Sequence, residues 1–363
     1  MKALFLVNGL GLGNSTRCHA IIQRLARHGV TVAVASSGNG LWYFEGRPEI
    51  ASLTRLDALY YASDGGRISI VRTLASLGDF WKIAQRNTVI IDALLDTFEP
   101  DVVIIDSVYT IVPMRRRHIP VVALNNADVV HLSYRRFPDR PRSILFQFYA
   151  IEELDYRFHR WRPDLVLSPS LDHTLPELGG TFRRIGPIVR LGYEASIRAG
   201  PIERVLIMLS GSRFGSSVSL TGRAFQFAID VVGREAPGDS SLPAHVQFHG
   251  RLRDNRHIVD QADVVVANGG FSAVSEAFAM RKPLVVLPIP NHAEQWINAR
   301  TIVHLGVGVM AREDAIVQGM TTAIERIDEL RAAYARLPSV RDGAAEAAEA
   351  IAELIAFRPG RSP

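Results

Sequence analysis

The sequence predicts an α/β fold built from two doubly wound halves. Three observations carry this. The chain opens on an apolar strand (residues 3–8), a glycine-rich loop (9–17) and an amphipathic helix (16–28) with Ile21, Ile22, Leu25 and Ala26 on one face. The same unit restarts in the second half, as the apolar run 205–209 followed by the glycine loop 210–215. Short apolar runs without polar alternation recur between them, as expected of parallel strands buried on both faces.

The elements follow in order. Gly29 ends the first helix, and residues 30–35 read as strand two. Residues 38–100 are less regular, with Trp42, Tyr43, Phe44, Tyr60 and Tyr61, and then a helix over 70–98. Residues 100–106 form a buried strand ending in Asp106. A carboxylate there lies where open α/β sheets bind ligands, or it caps the next helix; both readings stay open. Residues 120–124 make a further strand, with Asn125, Asn126 and Asp128 at its end. The stretch 134–142, with Arg115 to Arg117, is basic with aromatic interleaving. It is either a solvated loop or a contact for an anionic acceptor or a membrane surface. Residues 165–168 are the last strand expected in this half, and 182–190 its exit. Beyond the restart come a strand at 245–248 and alanine-rich helices at 320–337 and 343–357, then a frayed tail at 358–363. The domains predicted are 1–186, a linker at 187–203, 204–340, and a final helix with tail at 341–363.

Length and composition agree. With 363 residues, 47% hydrophobic and 21% charged, the chain suits two globular domains of ordinary size. Forty-one basic against 37 acidic residues leave +4, which implies no nucleic-acid partner. The single cysteine, Cys18, forms no internal disulfide and fits a reducing compartment. No apolar run approaches the ~18–20 residues that span a bilayer, and the opening run is too short for a signal segment. A cytoplasmic protein is expected, with contact at the inner membrane face left open.

The chain is organised around residues 263–298. They read as strand (264–267), glycine loop (Gly269, Gly270), helix carrying Glu276, strand (284–287), polar loop and helix (from Glu294-Gln295). Ser272 or Ser275 is expected to cap the first of these helices. A helix N-terminus after glycines favours an anion, because free N–H groups and the positive end of the dipole point the same way. Glu276 is placed to grip vicinal ribose hydroxyls, and Glu294-Gln295 to hold sugar hydroxyls. A phosphate site flanked by two hydroxyl-reading groups describes a nucleotide-sugar pocket. The first glycine loop does not describe a dinucleotide site: Asn14 stands where a third glycine is needed, and strand two ends in Ser36-Ser37 with no acid. No nicotinamide or flavin cofactor is expected.

The stretch resembles the donor-binding signature of GT-B glycosyltransferases, especially family 28 and its relatives, which include the peptidoglycan N-acetylglucosaminyltransferase. Ala262, Asp263, Gly269, Gly270, Ser272, Glu276, Lys282, Pro283, Pro288, Gln295, Asn298 and Ala299 match that pattern in order. The resemblance implies two Rossmann-like domains facing a cleft, the acceptor in the first, the donor in the second, and the last helix packed back across the first. It implies that Glu276 binds the ribose, the Gly270-Phe271-Ser272 loop the diphosphate, and Glu294 and Gln295 the sugar. Residues 249–252, ending in Leu252, would hold the base by backbone contacts. Gly211, Ser212 and Arg213 would lie beside the phosphates and, with the helix dipole, stabilise the leaving group without a metal; no acid pair resembles the cation-binding Asp-x-Asp. The family's first loop reads Gly-x-Gly-His-x-x-Arg. Gly11, Gly13 and Arg17 match it on the acceptor side, but Asn14 replaces the histidine. Asp106 is then the first candidate for a general base and His19 the second. The expected activity is metal-independent transfer from a nucleoside-diphosphate sugar, UDP-linked by resemblance, to an unidentified acceptor. A nucleotide-sugar hydrolase, a 2-epimerase and a non-catalytic binder are the alternatives.

Overall fold

The computed structural model describes residues 1–58, 63–64, 67–68, 77–192, 195–209, 225–236 and 245–356. The chain forms two compact units: Met1–Leu132 with Ile151–Leu191 and Arg341–Pro363, and Ser133–Ala150 with Gly192–Val340.

In the first unit, β1 (Lys2–Val7), α1 (Leu12–Arg27), β2 (Thr31–Ser36), α2 (Gly38–Phe44) and β3 (Ser52–Arg55) come first. The short antiparallel pair β4 (Ser63–Asp64) and β5 (Arg67–Ile68) precedes α3 (Leu77–Phe98). Then come β6 (Val102–Asp106), α4 (Val112–Arg116), β7 (Val121–Leu124) and α5 (Ala127–Arg136), whose last turn lies in the second unit. After the short α6 (Leu145–Gln147) and a π-helical turn (Phe148–Glu152) follow α7 (Glu153–Trp161), β8 (Leu165–Pro169) and β9 (Phe182–Ile185). Among the described residues, seven parallel strands run in the order β3-β2-β1-β6-β7-β8-β9.

The missing alternation has a direct cause. Ala3, Phe5 and Val7 of β1 pack with Val32, Val34, Val102 and Ile104 beneath α1. Leu4 and Leu6 enter a second layer with Val103, Ile105, Ile91 of α3 and Met114 of α4. Both faces of the sheet are covered, so the central strands are selected for apolar bulk on both sides.

The second unit holds β10 (Arg204–Met208), β11 (Ala228–Val232), β12 (Val246–Phe248), α8 (Arg256–Gln261), β13 (Val264–Asn268), α9 (Phe271–Ala279), β14 (Leu284–Leu287), α10 (Ala293–His304) and β15 (Gly308–Met310), followed by α11 (Ile316–Glu325) and α12 (Ile327–Arg336). Its parallel sheet runs β12-β11-β10-β13-β14-β15 among the described residues. Val205, Ile207, Val264, Val266 and Val285 form its core with Met320 and Leu330. The last helix, α13 (Gly343–Ala356), belongs to the first unit and puts Ala347 and Ile351 into the layer that holds Ile21 and Leu25 of α1.

Several expectations are corrected. β9 follows β8, so residues 165–168 are not the last strand of the first sheet. α2, β3 and β11 are regular elements that the periodicity did not mark. The single helix expected over 320–337 is two, α11 and α12. Residues 133–150, expected in the first half, group with the second unit. The expected residues 70–76 of the long helix, the glycine loop 210–215 and the tail 358–363 lie outside the described residues.

Each sheet reverses its winding once, between β1 and β6 in the first unit and between β10 and β13 in the second. Ligands of open α/β sheets bind at such points, beyond the carboxyl ends of the strands.

Candidate functional site

In the second unit the reversal point is the Asn268-Gly269-Gly270 loop and the N-terminus of α9. Gly270 is the residue before the helix, in extended conformation (φ −64°, ψ 131°), and no side chain caps this end. The expected serine cap is thus corrected: a glycine holds the capping position, and Ser272 already lies in the first turn. Ser275 Oγ is buried one turn on without a hydrogen-bond partner. Glu276 is on the same helix, only 7% exposed.

Gly269 is required for close approach. A Cβ there would lie 2.6 Å from the carbonyl oxygen of Gln295. Asn298 Nδ2 donates to the Gly269 carbonyl at 2.9 Å. These contacts bring the start of α10, with Glu294 and Gln295, against the glycine loop that starts α9. Gln295 Oε1 accepts from the Ile289 N–H at 3.1 Å, so its side-chain carbonyl braces the preceding loop.

His292, which occupies the capping position of α10, was given no role in the sequence reading. The only signal was its place just before Ala293 and Glu294. Its Nδ1 is shut from solvent with no hydrogen-bond partner, and burial lowers its pKa to about 4, so the ring is neutral at pH 7. Lys282 of the matched pattern is a core residue, with Nζ donating to the Asp260 carbonyl at 2.6 Å. Leu252 is half-buried beyond β12. The segment before it is fixed by His249 Nε2 on Asp230 at 2.6 Å and by the Gly233 N–H on the Gly250 carbonyl at 2.7 Å. Gly211, Ser212 and Arg213 lie outside the described residues.

In the first unit the helix begins at Leu12, four residues before the expected Thr16. Gly13 and Asn14 are therefore in its first turn, and extended Gly11 precedes it with no side-chain cap. Gly9 is obligatory, because a Cβ would lie 1.6 Å from the Ser37 carbonyl oxygen. The loop is braced by its asparagines: Asn8 Oδ1 accepts from the Leu10 N–H (3.1 Å), Asn14 Nδ2 donates to the Asn8 carbonyl (3.3 Å), and Asn39 Nδ2 donates to the Leu10 carbonyl (2.9 Å).

Asp106, expected to face a ligand or to cap the next helix, is held inside the fold. It is fully buried and bound bidentately by Arg17, through Nε at 2.5 Å and through Nη2. Cys18 Sγ donates to Oδ2 at 3.3 Å, and burial and the Asp106 charge push that thiol well above its usual pKa. Ser107 Oγ donates to Oδ1 at 3.4 Å, so the carboxylate, shut from solvent, is already bound by a guanidinium, a thiol and a hydroxyl, and it caps no helix. Arg17, for its part, is turned into the fold. His19 is equally unsuited to take a proton: it is 3% exposed, with Nδ1 on the Tyr43 hydroxyl at 3.1 Å. Burial, and then Arg47, lower its pKa to about 4.

The basic stretch is largely engaged locally. Arg117 pairs with Asp92 and Asp96, Arg115 with Asp164, and Arg140 stacks on Tyr134 at 4.7 Å. Arg135 and Arg142 are exposed. Among the described residues no group of three or more His, Cys, Asp or Glu side chains could hold a metal ion. Among them, too, no helix is long and apolar enough to cross a membrane.

The sequence profile of the family described as Glycosyl transferase family 1 matches residues 1–142 and 201–327. An uncharacterized glycosyltransferase of Methanosarcina acetivorans is 26% identical over 340 residues, covering 85% of each chain. The UDP-N-acetylglucosamine–N-acetylmuramyl-(pentapeptide) pyrophosphoryl-undecaprenol N-acetylglucosamine transferase of Lachnoclostridium phytofermentans is 21% identical over 332 residues, covering 87% of each. Among solved structures, the spinosyn forosaminyltransferase SpnP superposes with a TM-score of 0.66 at 14% identity, over 98% of this chain and 99% of that one. With its two parallel sheets and its two uncapped strand–glycine–helix turns, the chain belongs to glycosyl transferase family 1 and is a glycosyltransferase of GT-B fold.

Proposed function

We propose that the protein transfers a sugar from a nucleoside-diphosphate sugar, with the donor held in the second unit. The carrying observation is the contact of two helix starts: the α9 N-terminus behind Gly269 and Gly270, and the α10 N-terminus with Glu294 and Gln295. In this reading the diphosphate lies at the uncapped start of α9, where N–H groups and the helix dipole favour negative charge. Glu276 takes the ribose hydroxyls, Gln295 NH₂ and Glu294 take the sugar, and the backbone near Leu252 takes the base. An acceptor oxygen or nitrogen bonds to the anomeric carbon as the bond from that carbon to the phosphate oxygen breaks; the diphosphate leaves with the electron pair, and the proton released by the acceptor passes to the departing diphosphate or to water. Charge grows on that diphosphate, so the start of α9 stabilises the transition state without a metal. A UDP-sugar is the first donor to test, since the Lachnoclostridium relative is named for one.

On the acceptor side, Asn14 sits in the first turn of α1. It can donate and accept hydrogen bonds but cannot take up a proton, so its role is to orient the acceptor. Asp106 and Arg17 support that turn from beneath.

The test is Glu276→Ala, with UDP and UDP-N-acetylglucosamine titrated calorimetrically. Loss of a hydrogen bond to a charged group should weaken both by about 1.5–3 kcal/mol, roughly 10- to 150-fold. Equal affinity in mutant and wild type would remove the ribose role.

A further inference from the structure

The helix that begins with Ala293, Glu294 and Gln295 is not held by its own capping residue. His292 occupies that position and makes no side-chain cap bond. A residue 146 positions away does the work: Gln147 Oε1 accepts from the Ala293 N–H at 2.8 Å. Gln147 is buried, and the turn around it is firmly placed, with the adjacent Phe148 ring stacked on Tyr134 at 3.4 Å between centroids. A π-helical turn starts at Phe148, a device frequent at functional sites. The same segment grips α10 further along. Arg300 pairs with Asp139 at 2.7 Å and lies over the Phe137 ring, which meets Trp296 edge to face.

A start-of-helix N–H left without an acceptor in a buried place is costly, and the first turn of a helix is the part free to fray or shift. Here that turn carries both groups proposed to read the donor sugar.

We propose that Gln147 is a positioning residue for the donor sugar, acting through the Ala293 N–H to hold Glu294 and Gln295 in register. This rests on the donor reading given above. The proposed diphosphate and ribose contacts belong to α9, whereas Gln147 bonds to the first turn of α10, so its effect falls first on the sugar.

The test compares Gln147→Leu and Gln147→Glu with wild type, using UDP and UDP-N-acetylglucosamine as binding probes. Leucine fills the space without an acceptor, whereas glutamate keeps one. The leucine variant should lose five- to twentyfold in sugar-nucleotide affinity with UDP affinity within twofold, and glutamate should restore most of the difference. A change in melting temperature alone, or an equal loss for both probes, would mean Gln147 only supports the fold and overturns the proposal. So would a glutamate variant no better than leucine. Failure of wild type to bind either probe would overturn the donor reading and this inference with it. A wild type that binds both, a Glu276→Ala that loses both and a Gln147→Leu that changes neither would overturn this inference alone.

Discussion

The two units use one backbone device for different ends. Each runs a buried parallel strand into a glycine turn and then a helix whose start no side chain caps. In both units a close-fitting glycine ties the turn to another helix start, Gly269 to α10 and Gly9 to α2, but only in the second does a carboxylate follow on the same helix. In the first unit the helix instead anchors downward: Arg17, in its second turn, grips Asp106 at the end of the neighbouring strand. The first turn is thus supported by a buried ion pair, and the second is followed by a buried carboxylate on its own helix. Backbone topology says where a ligand can go, and only the side chains around each turn say which chemistry happens there.

The largest test of that contrast is Asp106→Ala. It strands the Arg17 guanidinium in the interior, and breaking a buried pair from one side costs about 3–5 kcal/mol. Urea unfolding should register that loss, and replacing both partners by apolar residues (Arg17→Met with Asp106→Leu) should recover much of it. If Asp106 were instead the general base, Asp106→Asn would leave stability near wild type and lower kcat by ~10²–10⁴.

Next in size is Gly269→Ala. The backbone of Gln295 stands in the way, so an overpacking cost of about 1–3 kcal/mol and weakened sugar-nucleotide binding are expected. Gly11, which like Gly270 directly precedes its helix, meets nothing within 4 Å and has an ordinary φ of −123°. The cost of Gly11→Ala should stay under about 1 kcal/mol, that of a poorer capping residue. Equal costs at the two positions would erase the distinction between them.

A pH-dependent effect is shared by His19 and His292, one in each unit, both lowered by burial from 6.5 to about 4. Above pH 6.5 each ring is neutral whether the chain is folded or not. Between 6.5 and about 4 the unfolded chain takes up a proton that the folded chain refuses, so stability falls as the pH drops. Each ring should contribute at most about 1.4 kcal/mol per pH unit. Melting followed from pH 7 to 5 should show this slope, and His292→Asn should lessen it; a flat profile would place both rings in water.

The stretch 263–298 was legible because its signals are local. Residues 263–298 alternate apolar strands with glycine and polar turns, and β13, α9, β14 and α10 appear where that pattern puts them. The first loop was legible as a loop but not in its chemistry. Arg17 and Asp106 are 89 residues apart, and nothing in either neighbourhood announces the other. β9 escaped notice because Arg183 and Arg184 interrupt its apolar run, and Arg184 is accommodated only because Asp128 binds it at 2.6 Å. β11 likewise hides Asp230, held by Arg204 and His249. The grouping of residues 133–150 with the second unit depends on Gln147, Asp139 and Phe137 meeting α10, contacts no periodicity foretells.

The position of α13 has a consequence for the protein's birth on the ribosome. Ala344, Ala347 and Ile351 fill the same layer as Ile21 and Leu25, and Arg24 pairs with Asp342 at 2.6 Å. Translation delivers α1 early and its covering helix near the end. The first unit must therefore wait, with one face of its sheet incompletely covered, while every segment of the second unit emerges. The half that is synthesised first is the half that is finished last, and during that interval its apolar face is what chaperones would meet.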